Sequence, residues 1–154
     1  MFEAKFEEDV IVKFSNFNYS VEVHAYLSQL KLAPKIKFWR KLPGKWFVVV
    51  MEKVNGSKIS TSASPEAKKA LKDAVERMHD AGYVHGNLRS KNILVDGDEI
   101  CILGFDWAGV EGEARYPVEL DSDGLHENAQ CGRPILKEHD CYQVTKHCET
   151  AADE

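Results

Sequence analysis

The stretch "YVHGNLRSKNILV", residues 83–95, decides how this chain reads, because it sets polar side chains at fixed intervals between two strongly signalled elements. Before it, Ser64 as N-cap, Pro65 at the first helical position and Glu66 in the first turn open a helix. Ala67, Ala70, Leu71, Ala74, Val75 and Met78 form its apolar stripe, and Gly82 stops it. After it, "NILV" and "ICIL" flank "DGDE", the pattern of a tight β-hairpin with Asp96-Gly97 at its tip. His85, Gly86, Asn87, Leu88 and Asn92 therefore lie in a loop held between a helix end and a hairpin.

Upstream the signals are those of strands. "VIVKF", residues 10–14, is β-branched, and with the preceding "FEAKFEED" it predicts an opening hairpin. Strand alternation puts Ile11 and Lys13 on one face and Val10, Val12 and Phe14 on the other. Ser20 caps a short helix whose apolar positions are Val23, Tyr26, Leu27 and Leu30, with Pro34 just beyond it. "KIKFWRKL" and "KWFVVVMEKV", separated by Pro43 and Gly44, form a second hairpin, giving a sheet of about four strands. The polar stretch 55–64, "NGSKISTSAS", joins this sheet to the helical part. Beyond Gly109 only residues 134–148 carry a helical pattern, and the acidic end 149–154 is expected to fray.

With 154 residues the chain is long enough for one hydrophobic core. A formal charge of −5 and no basic run argue against a nucleic-acid surface. There is no signal-peptide pattern and no apolar stretch of membrane-spanning length, so an intracellular, cytoplasmic setting is expected, with no membrane partner. Cys101, Cys131, Cys141 and Cys148 are too few and too unevenly placed for a disulfide framework and are read as free thiols. His139, Cys141, His147 and Cys148 do not share one face of a helix, so they read as helix-surface residues rather than a zinc site.

Capped helix, Gly82, "YVHGNLRSKNILV", hairpin and "ICILGFDWAG" together resemble the catalytic core of the protein-kinase-like superfamily. The His-Gly form is closer to the aminoglycoside-phosphotransferase branch and to compact kinase-like proteins common in fungi than to typical protein kinases. The resemblance runs from about residue 4 to about 117. It implies an α+β kinase-like fold, a small antiparallel sheet with one helix (residues 1–54) joined through 55–64 to an abbreviated helical lobe (residues 65–148). It further implies that Lys13 is the phosphate-binding lysine, that Glu22 is its ion-pair partner, and that Met51, Glu52 and Val54 contact a nucleobase. His85 takes a structural role, Asn87 stands at the base position, and Asn92 and Asp106 are the metal candidates, with ATP and Mg²⁺ as the implied cofactors.

The chain departs from that pattern at the points where chemistry is done. Asn87 replaces a carboxylate, and a carboxamide accepts a hydrogen bond without taking a proton. Gly104 stands where the metal-binding Asp-Phe-Gly motif begins and offers no oxygen to a hard cation. Asp106, two residues on, would point to the same side in an extended segment, displaced by about 7 Å. None of the twelve residues before Lys13 is glycine, and only 48 follow Asp106, with no Ala-Pro-Glu motif. The expectation is a kinase-like domain that transfers phosphate weakly or not at all and serves as a nucleotide-binding or regulatory module with an unknown protein partner. The competing expectations are an active ATP-dependent phosphotransferase using Asp106 for metal, and a truncated product without selected function.

Overall fold

The computed structural model describes residues 7–16 and 18–149. Most of the expected first strand (residues 2–9) and nearly all of the tail 149–154 fall outside these residues. Strand β1 (Val10–Ser15) is followed by helix α1 (Val21–Gln29), then by β2 (Ile36–Lys41) and β3 (Phe47–Glu52), joined through a 3-10 turn at Pro43–Lys45. Among the described residues these make a three-stranded antiparallel sheet in the order β1-β3-β2, and most of the expected opening strand lies outside them. The register sets Lys13 opposite Val49 and Ile11 opposite Met51, so the lysine lies three residue pairs from the strand end where β3 leaves the sheet.

The connecting stretch is more than a linker. Ser57–Lys58 form β4, which pairs with β6 (Ile93–Asp96), and Ile59 is buried with its N–H donated to the Ile93 carbonyl at 2.9 Å. Helix α2 (Pro65–Asp80) begins as its sequence dictates, with the Ser64 hydroxyl accepting from the Ala67 N–H at 3.1 Å. Its buried stripe is Ala67, Leu71, Ala74, Val75 and Met78. Leu71 and Met78 are fully enclosed, which stabilises the helix by roughly 2 kcal/mol for each such side chain.

A two-residue strand β5 (Tyr83–Val84) leads into the loop and pairs with β8 (Gly109–Val110), while β6 pairs with β7 (Glu99–Ile102). Asp96 stands opposite Glu99, so the turn is Gly97-Asp98, one residue later than the sequence pattern placed it. Helix α3 (Lys137–Cys148) closes against α2. It also corrects one expectation: His139 is buried, its Nδ1 accepting from the Tyr116 hydroxyl at 3.0 Å, whereas Cys141 is exposed.

One core runs through both layers. Val23, Leu27, Val49 and Met51 from the sheet side join Leu71, Met78, Leu88, Ile93, Ile102, Phe105 and Val144 from the helical side. Phe105 is central: His24 of α1 stacks on its ring at 4.6 Å, and its carbonyl accepts the Ser20 N–H at 3.0 Å. The start of α1 is thereby fixed to the segment that carries Asp106. Among the described residues no helix is long and apolar enough to cross a membrane.

Candidate functional site

A cavity of about 420 Å³ opens between the sheet and the 83–106 region, lined on the sheet side by Ile11, Lys13, Met51, Glu52, Lys53 and Val54. Tyr19, Pro34, Asn92, Leu94, Leu103 and Gly104 complete its wall. The fold thus brings Lys13, the 51–54 segment and Asn92 around one space, although they lie up to 79 residues apart (92 − 13). Ile11 and Leu94 supply branched apolar walls, and Val54 presents a peptide N–H and C=O that have no partner among the described residues.

Lys13 is held by Asp106: its ammonium donates to one carboxylate oxygen, and the Ser15 hydroxyl donates to the other at 2.6 Å. Strand alternation explains why Ser15 reaches the same carboxylate, since it lies two residues beyond Lys13 on the same face. The segment carrying Asp106 is not extended. Gly104 has φ of +75°, and that left-handed turn, natural for glycine, redirects the chain so that Asp106 meets Lys13. The Lys13 ammonium also lies 5.4 Å from the centre of the Tyr19 ring, within cation–π range.

Glu22 does not do what the resemblance implied. It is exposed in the first turn of α1, and its carboxylate accepts from the Tyr83 hydroxyl at 2.8 Å. The α1 side chains that turn inward are Val23, His24 and Leu27. His24 accepts from the Tyr19 hydroxyl at Nδ1 (2.8 Å) and donates from Nε2 to the Pro34 carbonyl (2.7 Å). Burial, partly offset by the Pro34 contact and aided by the nearby Lys13 charge, lowers its pKa to about 4, so the ring is neutral.

The 85–92 loop is held by backbone bonds to buried side chains. His85 donates from Nε2 to the Leu103 carbonyl at 2.9 Å and accepts the Asn87 N–H at Nδ1 at 3.1 Å, and burial lowers its pKa. Both ring nitrogens are therefore engaged with backbone. Gly86 has φ of +80°, and a side chain there would strike Ile135 at 2.8 Å, which accounts for glycine after the histidine. Asn92 donates from Nδ2 to the Asn87 carbonyl at 2.9 Å. The Asn87 Oδ1 is buried without a hydrogen-bond partner.

Sequence reasoning missed the groups behind this loop. Asp140, fully buried on α3, accepts from the His85 N–H at 2.8 Å, the Gly86 N–H at 2.7 Å and His79 Nε2 at 3.1 Å. Gln143 accepts the Leu88 N–H at 2.9 Å, and His147 donates to the Leu88 carbonyl at 2.7 Å. These contacts span 54 to 61 residues, and no local pattern announces them. Ser15, by contrast, was readable from strand alternation once Lys13 was singled out.

No protein-family model matches the chain. Among curated proteins, 79 residues, 51% of this chain, are 32% identical to a probable bifunctional tRNA threonylcarbamoyladenosine biosynthesis protein of Methanosarcina barkeri. A second of that name, from Methanoculleus marisnigri, is 31% identical over 78 residues. The shared segment spans only 13% and 14% of those two proteins. Among solved structures, the Cydia pomonella granulovirus kinase PK-1 superposes with a TM-score of 0.71 over 90% of this chain and 57% of its own, at 15% identity. Vaccinia related kinase 3 gives a TM-score of 0.57 over 90% and 56%, at 18% identity. At those identities the likeness defines the fold: a protein-kinase-like fold, with a small antiparallel sheet facing a helical layer.

Proposed function

We propose that this chain is a non-catalytic kinase-like module whose cleft binds a nucleotide-type ligand and transfers phosphate weakly or not at all. The observation that carries this reading is the pairing of Gly104 with Asn92. A Cβ at position 104 would lie 2.6 Å from Asn92 Oδ1, so the asparagine side chain fills the space where a carboxylate at 104 would begin. The ligand-binding surfaces of the cleft persist while the groups that act on phosphate are replaced.

The donor set does not suit Mg²⁺, which prefers octahedral oxygen ligands with carboxylate charge. Both Asp106 oxygens are taken by Lys13 and Ser15, Gly104 offers none, and Asn87 and Asn92 supply only neutral amide oxygens. Among the described residues no group of three or more His, Cys, Asp or Glu side chains is placed to hold a metal. At the base position the Asn87 Oδ1 is buried, and an amide does not take a proton as a carboxylate does.

An active ATP-dependent phosphotransferase is the alternative, and one observation favours it: Asp106 stands on Lys13 beside the same cleft. A role in tRNA modification, the activity in the curated relatives' names, is disfavoured by the net charge of −5, because RNA contact wants a basic face. The test is thermal unfolding of the purified chain with adenine and guanine nucleosides and nucleotides, in Mg²⁺ and in EDTA. A ligand that binds only the folded state raises the midpoint. The reading expects a shift of similar size in both media; no shift with any of these ligands would remove the nucleotide-type cleft.

A further inference from the structure

Resting on the cleft reading above, we infer that the preferred ligand is an uncharged planar heterocycle of nucleoside type, and that Asp106 keeps the triphosphate out by standing in for it on Lys13. An anion-binding lysine attracts phosphate only when its charge is available. Here one carboxylate oxygen takes the Lys13 ammonium, and the other is fixed by the Ser15 hydroxyl at 2.6 Å, so the pair is held from both sides. Lys13 and Asp106 side chains are 32% and 21% exposed, so solvent and salt screen the pair less than they would a fully exposed one.

The other cation lining the cleft is also paired, and the one further carboxylate is held by a backbone N–H. Lys53 pairs with Asp9 at 4.0 Å, and Glu52 accepts the Lys35 N–H at 2.8 Å. Phosphate loops rely on glycine-rich turns that aim several N–H groups at one anion, and among the described residues none before Lys13 is glycine. A polyanion entering this space meets two lysines each already paired with a carboxylate, the further carboxylate of Glu52 and a chain of net charge −5. A neutral planar ring meets Ile11, Met51, Val54, Leu94 and Leu103, with the unpartnered Val54 peptide to address its edge. The cleft thus retains a surface for the base while its cation is already satisfied.

The experiment is calorimetric titration of the full chain with adenosine, AMP and ATP, and in parallel with guanosine, GMP and GTP, all in EDTA. In the unaltered protein at least one nucleoside is expected to bind tenfold or more tightly than its triphosphate. In Asp106→Asn, which keeps the shape and removes the charge, the triphosphate is expected to gain at least tenfold while the nucleoside changes less than twofold. A triphosphate that binds the unaltered chain as tightly as its nucleoside overturns the inference and leaves the cleft reading intact. Failure of every ligand to bind either protein overturns both. If Asp106→Asn does not fold, Lys13→Met serves instead: nucleoside binding should persist, and a loss of triphosphate binding of tenfold or more would show that Lys13 was available to phosphate after all.

Discussion

Asn92 and Gly104 are fitted to each other: the asparagine amide lies against the glycine Cα at a distance that leaves no room for a Cβ, and its Nδ2 is tied to the Asn87 carbonyl. Residues 92 and 104 therefore form a closed contact at the cleft wall. Changing one of them alone works against the packing around it.

Gly104→Asp is expected to destabilise the chain by about 1–3 kcal/mol, since position 104 has φ of +75° and the new side chain would have to displace Asn92. Asn92→Ala in the same chain should recover part of that loss, because residues in contact do not behave additively. Denaturant unfolding of the two single variants and the double variant measures the coupling. Equal losses with no recovery would mean that the contact between 92 and 104 is incidental.

Asp140→Ala should cost at least about 3 kcal/mol, because the His85 and Gly86 N–H groups would both be left buried without an acceptor. Asp140→Asn should cost less, as it keeps one acceptor oxygen. The same urea titrations read both. Amide exchange at His85 and Gly86 separates loosening of the loop from global unfolding, since only local opening raises exchange there at unchanged midpoint.

Acid should unfold this chain partly through His24. Its folded-state pKa of about 4 is below the ordinary histidine value, so the unfolded chain binds the extra proton first. The neutral ring contributes its full stability above about pH 6.5, and that contribution is lost as pH falls toward 4, by up to roughly 3 kcal/mol. His85 and His139, also lowered by burial, act with the same sign. His24→Phe, which keeps a ring against Phe105, should flatten the dependence of unfolding free energy on pH between 6.5 and 4. An unchanged slope would assign the acid sensitivity to the other histidines.

The legible parts of the molecule were those set by local period. Ser64-Pro65-Glu66 announces α2, the alternation of "VIVKF" puts Ile11 and Lys13 on one face, which in the fold lines the cleft, and the spacing from Asn87 to Asn92 places both in the one loop. What escaped depends on which long-range partner wins. Glu22 lay on the expected helix, but helix phase turns it to solvent, where Tyr83 takes it, and Asp106 holds the lysine instead. Nothing within a turn of Asp140 marks it as the acceptor for a loop 54 residues away, and an acid in a helix's first turn already has a sufficient local explanation. Asp106 itself was placed by assuming an extended segment, which the left-handed turn at Gly104 corrects.

Turnover decides whether the cleft is catalytic: γ-labelled ATP is incubated with the full chain in Mg²⁺ or in EDTA, with Asp106→Ala as the control. A non-catalytic cleft gives phosphate release that does not exceed the control and does not depend on Mg²⁺. Mg²⁺-dependent release that vanishes in Asp106→Ala would contradict the account and make this chain a working phosphotransferase.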